Sequence, residues 1–412
     1  MDFSRFHGIL GIILILLIAF AFSNNRKKIN YRVVISGIVL QIIIAVLILR
    51  IPEVTWFFQQ LGHGMESIEG FARQGAAFVF GNIMVSTQNG SENFAVNGFV
   101  FAFSVTATII LVTVLVALLY HIGIMQRIVS VIAKAMNFVM RVSGAEALSN
   151  VASAFVGQVE AQVMIRPYLN GMTKSELLAS MSGSLACIAG GILIVYASMG
   201  APAEYLIAAS LMAAPGALVI SKIVFPETEE SETMGRVKLE VKSSYSNIID
   251  AISHGASDGM KISLNVIAML IGFIALVALI NAGLGLIYPG LGLDAIFAKI
   301  FYPIAWCMGV PMADLSNAAT LLGQKLTINE FVAFKNLTDP TTTTPIITEK
   351  GLLIVSVAIC GFANFSSVGM QIGGIGELAP SRRKDLAALG MRALLCGTLA
   401  SYLSATIAGI IK

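Results

Sequence analysis

Residues 145–168 read AEALSNVASAFVGQVEAQVMIRPY, and how this stretch is placed decides the fold. It is apolar enough to enter a bilayer. Yet Ser149, Asn150, Ser153, Gln158, Glu160 and Gln162 interrupt it, with Gly157 in the middle. An ionised carboxylate at membrane depth costs from about 3 to over ten kcal/mol depending on the reference state, so such residues face a cavity and carry function. Non-helical backbone is tolerated at that depth only where protein or a water-filled cavity satisfies it. The stretch therefore reads as a re-entrant hairpin, Ala145 to Tyr168, with Gly157 at its tip. A second region, Ala313 to Phe334, carries Asp314, Asn317, Gln324, Lys325, Asn329 and Glu330 and reads the same way. Glu160 and Glu330 are expected to face one another across a substrate site.

The rest of the chain is built for a membrane. Of its 412 residues 57% are hydrophobic and only 12% charged, with mean hydropathy +0.85, against roughly one quarter charged in a soluble domain. The net charge of +3 is spread over separate loops and points to no nucleic-acid partner. Cys187, Cys307, Cys360 and Cys396 lie in apolar runs without CxxC spacing, so neither disulfides nor a zinc site is expected. His7, His63, His121 and His254 form no pair at metal-ligand spacing, and no metal or cofactor is expected.

Eight spans are predicted: Gly8–Phe22, Val33–Leu49, Phe99–Tyr120, Leu177–Met199, Tyr205–Phe225, Ile262–Ile280, Gly351–Ile372 and Ala387–Ile411. The fourth is expected to unwind at Ala189-Gly190-Gly191. The seventh breaks at Gly361-Phe362-Ala363-Asn364-Phe365-Ser366-Ser367. Pro52–Phe80 is too polar to cross and reads as an interfacial helix, and Asn82–Asn97 as a loop. Arg127, Lys134 and Arg141, seven residues apart, share one face of a second interfacial helix and meet anionic headgroups. A short amphipathic stretch surrounds Leu293–Ile300, and Glu227–Lys242 is a charged loop. Arg26, Lys27, Lys28 and Arg32 follow the first span while only Arg5 precedes it, so that span is retained rather than cleaved. Basic loops after spans one, three, five and seven define the cytoplasmic side and leave both termini outside.

Thr173–Leu185 (TKSELLASMSGSL) matches Thr348–Cys360 (TEKGLLIVSVAIC) at the threonine and the Leu-Leu pair. Each copy follows a polar hairpin and precedes a broken span. The first copy starts inside and the second outside, an inverted repeat of the kind that places substrate at the midplane between broken helices. Gln158 and Glu160 offer an amide beside a carboxylate, and Glu330 with Asn364 and Ser367 offers a set suited to vicinal hydroxyls of a sugar. The bland alternatives are hairpin caps for the first pair and a satisfied polar cluster for the second. Phe362 is read first as core and only second as a stacking partner for a planar ring.

Gly-Gln-x-Glu at 157–160, Arg166-Pro167-Tyr168, Tyr196-Ala197-Ser198-Met199-Gly200, Ala213-Ala214-Pro215-Gly216, Asn329-Glu330-Phe331-Val332-Ala333 and the segment Gly361–Ser367 together resemble the concentrative nucleoside transporter family, in particular its eight-span bacterial members. The likeness covers essentially the whole chain. It implies an all-α integral membrane protein of the bacterial inner membrane, a homotrimer of scaffold (1–122 and 227–288) and transport repeats (123–226 and 289–412). It also implies a site in which Gly157, Gln158, Val159, Glu160 and Ile192 lie toward a nucleobase, Glu330, Asn364 and Ser367 toward the ribose, and Phe362 beside both. Sodium-coupled members have Gln-Thr-Glu where Gln158-Val159-Glu160 stands. Their ion site uses an Asn and a Ser at the positions of Ser153 and Cys187, leaving Val156 and Ile188 to offer backbone carbonyls. A neutral thiol is a poor ligand for a hard cation. The expectation is therefore an ion-coupled importer of purine and pyrimidine nucleosides driven by protons, with Glu160 and Glu330 as the candidate charge carriers and sodium as the alternative. A channel for small polar solutes would use the same hairpins without uphill accumulation. An intramembrane hydrolase would need a Ser/His or Cys/His arrangement around Cys187 or Ser367 that is not visible.

Overall fold

The computed structural model describes residues 4–80, 101–234, 245–339 and 345–412. The expected loop over Asn82–Asn97 and the latter part of the Glu227–Lys242 loop lie outside them. The described residues form helices α1 (Ser4–Ala21), α2 (Tyr31–Arg50), α3 (Pro52–Phe80), α4 (Phe101–Ile122), α5 (Ile124–Met140), α6 (Gly144–Ser153), α7 (Glu160–Met164), α8 (Lys174–Ala186), α9 (Gly190–Ser198), α10 (Ala203–Val224), α11 (Ile248–Ile287), α12 (Leu293–Cys307), α13 (Leu315–Thr327), α14 (Glu330–Thr338), α15 (Glu349–Ile359), α16 (Phe365–Leu378) and α17 (Arg383–Ile411). The pairing of strands is limited among the described residues to one isolated bridge, Ser143 to Met234.

Among the described residues six helical stretches are long and apolar enough to cross a membrane: α2, α4, α8–α9, α10, α11 and the chain from Pro380 to Ile411. The first expected span is a shorter apolar helix, and the seventh is divided between α15 and α16. Burial sorts them. In α10 and α17, 94% and 83% of the apolar window is buried within the chain, against 28% in α2 and 12% in α11. An inner bundle of α8, α10, α15 and α17 is thus wrapped by helices whose apolar faces look outward. The 40 residues of α11 run about 60 Å, twice the roughly 30 Å of bilayer hydrocarbon. Its first turns, with Asp250, His254, Asp258 and Lys261, therefore extend beyond the membrane.

Helix α5 has the sidedness its charges predict. Met125, Val129, Ala133, Met136 and Met140 form its buried stripe, while Arg127 and Lys134 are exposed.

Both hairpins form. In the first, α6 and α7 flank a turn in which Gly157 adopts φ +121°, a left-handed conformation that favours glycine. In the second, α13 turns at Ile328 and Asn329 into α14. Each is fixed at its root by a buried carboxylate. Glu146 closes a capping box with Ser143 and pairs with Lys222 of α10 at 2.7 Å, and Lys222 also reaches Ser175 at 3.0 Å. Asp314 accepts from the backbone N–H of Ile347 at 2.8 Å and from both the backbone N–H and the hydroxyl of Thr348. The repeated threonines have one local job: Thr173 and Thr348 cap α8 and α15, accepting from the N–H groups of Glu176 and Gly351.

The breaks sit slightly off their expected places. Span four unwinds over Cys187–Ala189, and Gly190 already begins α9; span seven unwinds over Cys360–Asn364, and Phe365–Ser367 belong to α16. The reason is a crossing. The Phe362 N–H donates to the Cys187 carbonyl at 3.2 Å, and the Gly190 N–H to the Phe155 carbonyl at 3.1 Å. The unwound backbone of each repeat thus satisfies polar groups of the other or of the first hairpin, as membrane depth requires.

Candidate functional site

Glu330 is set in place by its own helix start. Asn329 caps α14 by accepting from the Val332 N–H at 3.0 Å, which puts Glu330 in the first turn. The Glu330 carboxylate accepts from the Tyr196 hydroxyl at 3.2 Å on one oxygen and from the Asn364 amide at 2.7 Å on the other. Asn364 is fixed in turn, because its carbonyl oxygen caps α16 by accepting from the Ser367 N–H at 2.9 Å and the Ser366 hydroxyl at 2.8 Å. The Tyr196 ring stacks on Phe334 at 4.4 Å and stands edge-on to Phe331 at 5.5 Å. The second hairpin, the second half of span four and the break of span seven therefore meet at one carboxylate. The Ser367 hydroxyl has no hydrogen-bond partner among the described residues, which leaves it for a ligand.

The first hairpin presents a looser set. Gln158 accepts from Gln371 of α16 at 3.5 Å and lies 3.9 Å from the Met370 sulfur, both weak contacts. Val159 packs against Gly374 of α16. Glu160 is exposed, and its carboxylate lies over the backbone N–H groups of Val159 and Glu160. Ile192 and Phe362 are half-buried at the start of α9 and in the break of span seven. Glu160 and Glu330 share no partner: Glu160 feels Asp258 of α11, and Glu330 feels Lys325. Among the described residues no hydrogen bond joins the two hairpin sets.

Of the expected ion ligands, Ser153, Cys187 and Ile188 have contacts within the protein. The Ser153 hydroxyl donates to the Ser149 carbonyl at 2.8 Å and lies 2.8 Å from the Ser184 hydroxyl. The Ser210 hydroxyl of α10 lies between the Ile188 carbonyl at 3.2 Å and the Ala154 carbonyl at 3.3 Å, tying the span-four break to the hairpin. The Cys187 sulfur is 3.8 Å from the Asn150 and Ser210 carbonyls. Among the described residues no three His, Cys, Asp or Glu side chains are grouped to hold a metal.

Residues 205–409 match the family described as the C-terminus of Na+ dependent nucleoside transporters, 10–83 match its N-terminus, and 102–203 match a nucleoside-recognition gate. The chain is 38% identical to the nucleoside permease NupC of Helicobacter pylori, over 100% of this chain and 98% of that one. The chain belongs to the concentrative nucleoside transporter family. Relatives of this transporter are permeases and cotransporters rather than enzymes, among them the sodium/nucleoside cotransporter 1 of Rattus norvegicus, 37% identical over 97% of this chain and 63% of the rat protein. The transporter superimposes on CNTnw in an inward-facing substrate-bound state with TM-score 0.92 at 38% identity, covering both chains fully. A CNTnw variant in an outward-facing state fits with TM-score 0.91 over 99% and 97% of the two chains.

Tyr196 and Lys325 are the site residues that sequence reasoning missed. Tyr196 stood within a quoted motif, and Lys325 was counted among the polar residues of the second hairpin, but neither had been given a partner.

Gly157 bears on the base as well. In sequence terms its lack of a side chain makes room for a two-ring base, so that Gly157→Ser would hurt adenosine more than uridine. A Cβ on Gly157 instead meets the Glu160 carboxylate at 2.5 Å, on a backbone that resists any side chain. Gly157→Ser should displace Glu160 and lower uptake of both nucleosides alike, by roughly tenfold for a strain of about 1–3 kcal/mol. A selective loss of adenosine in competition assays would restore the steric reading.

Proposed function

We propose that this transporter is a proton-driven nucleoside symporter that imports purine and pyrimidine nucleosides across the bacterial inner membrane by alternating access. The observation that carries the substrate assignment is the Glu330 carboxylate, held between the Tyr196 hydroxyl and the Asn364 amide beside the free Ser367 hydroxyl. A carboxylate flanked by fixed donors and a free hydroxyl suits the vicinal hydroxyls of a ribose. Gln158 and Glu160, with Val159 and Ile192 beside them, serve the base, and the weak contacts of Gln158 are readily exchanged for a ligand's. Residues 1–122 and 227–288 form the scaffold, 123–226 and 289–412 move as the transport domain, three copies assemble, and both termini lie outside.

Support for protons comes from the engaged ion ligands. Ser210 already engages the Ile188 carbonyl, one of the two a cation would need, and Cys187 offers sulfur where a hard cation wants oxygen. Glu160 is exposed and rests on backbone amides rather than on a side-chain cation. It takes a proton outside, the substrate bridges the hairpins, and the closed unit crosses with one charge fewer before releasing both inside. Sodium coupling is the second reading, favoured by the name of the rat relative.

Uridine uptake into proteoliposomes distinguishes them. An inward proton gradient should drive accumulation, an uncoupler should abolish it, and replacing sodium by choline should leave it unchanged. Strict sodium dependence with no response to a pH gradient would overturn proton coupling. Equilibration without uphill accumulation would indicate a channel.

A further inference from the structure

Lys325 stands out among the charged groups of the described residues. It lies on α13, the descending arm of the second hairpin, and its side chain is fully buried. Its ammonium has no hydrogen-bond partner among the described residues. Buried charges are normally paired and hydrogen-bonded, because an isolated ammonium in a low-dielectric interior is strongly disfavoured. Another buried lysine, Lys222, obeys that rule with Glu146, Glu227 and Ser175 around it. Lys325 does not. The groups that act on it electrostatically are Glu330 and Cys360, and Glu330 in turn is acted on by Lys325. Yet the two charges stand farther apart than the 4.0 Å of a contact ion pair.

That separation has a chemical use. A lysine in contact with Glu330 would donate straight into the carboxylate and occupy lone pairs that a sugar hydroxyl needs. Tyr196 and Asn364 already take one position on each oxygen, and an ionised carboxylate accepts about four hydrogen bonds in all. Held at a distance, the ammonium offsets the charge through space and claims no acceptor site. A compact ammonium suits this better than a guanidinium, whose five donors would seek the carboxylate directly.

We propose that Lys325 is a positioning residue for the sugar site, a buried counter-charge that keeps Glu330 anionic with its remaining lone pairs left for the substrate's hydroxyls. This rests on the assignment of Glu330 to ribose made above. It adds a second consequence: with Glu330 balanced by Lys325, Glu160 is the carboxylate of the two hairpin tips whose charge has no fixed cation beside it.

The test is a double-mutant cycle on the full-length transporter in nanodiscs, with Lys325→Met, Glu330→Gln and the two combined. Binding of uridine and of 2′,3′-dideoxyuridine is measured by calorimetry, and folding by thermal midpoint. Lys325→Met should weaken uridine at least tenfold and dideoxyuridine less than twofold, because the loss acts through hydroxyls that only uridine carries. On the Glu330→Gln background the same substitution should change uridine binding less than twofold, since the charge it served is gone. Unchanged uridine affinity in Lys325→Met, equal losses for both ligands, or additive losses in the double variant would each overturn the proposal. Should Lys325→Met fail to fold, the combined variant should recover the wild-type midpoint; failure of both would assign Lys325 to packing alone and overturn it too. Wild-type protein that binds neither nucleoside would refute the nucleoside reading itself, a separate result.

Discussion

Replacing Glu330 by alanine should abolish uridine uptake while the protein still elutes as a folded species. The substitution removes the one acceptor shared by the Tyr196 hydroxyl and the Asn364 amide. Leaving a buried donor without its partner costs about 1–3 kcal/mol each, which lowers stability without dismantling a bundle that Asn364 and Asn329 still cap. The transport effect is larger, because a site built to meet hydroxyls fails once its acceptor is gone. For the same reason the wild type should discriminate against ligands without a sugar, and such sites reject analogues lacking the bonded group by up to roughly 10⁴–10⁵-fold. Uracil should therefore be transported at least 100-fold less efficiently than uridine, a bound set well inside that range. Labelled uptake into proteoliposomes measures both; equal rates for uracil and uridine would remove ribose from the site.

Gly361→Ala should be at least as damaging, although no ligand touches the change. Gly361 has φ +123°, and a Cβ there would lie 2.3 Å from the Ala186 carbonyl oxygen and 2.8 Å from its carbon. Both obstacles are backbone, so no side chain can move aside. Left-handed strain of about 1–3 kcal/mol and overpacking of similar size add to about 2–6 kcal/mol. The adjoining bond from Phe362 to Cys187 is what holds the two breaks together, and it would be the first lost. Thermal midpoint and uptake should both fall sharply. Gly369→Ala, at a helical position with open space around it, is the control and should melt no lower than the wild type. If Gly361→Ala matched that control, the crossing would not be structurally required.

Much of this was legible in the residues. Polar side chains inside apolar runs marked both hairpins and the break of span seven, since hydrocarbon tolerates them only where something satisfies them. The spacing of Arg127 and Lys134 gave the exposed face of α5, while Arg141, expected on the same face, caps the helix just past its end in a left-handed conformation. What stayed hidden depended on contacts between distant parts of the chain. The glycine pair at 190 and 191 advertised local freedom, but the unwinding lies two residues earlier, where the Cys187 carbonyl accepts a hydrogen bond from Phe362 in the other repeat. Tyr196 in an apolar span looks like core until Glu330 is brought to it. Lys325 in a polar stretch looks like a solvated charge until its burial is seen. Ser210 carried no signal at all, because its importance lies in two carbonyls, of Ala154 and Ile188, that any residue would possess.

The buried carboxylates at the hairpin roots bear on how the molecule works as a machine. Glu146, locked to Lys222, and Asp314, locked to Ile347 and Thr348, anchor the hairpins at their roots. Their tips are tied as well, through Phe155 to Gly190 and through Glu330 to Tyr196 and Asn364. A beam held at both ends is a strut rather than a lever: it passes load between the broken spans and the bundle instead of bending on its own.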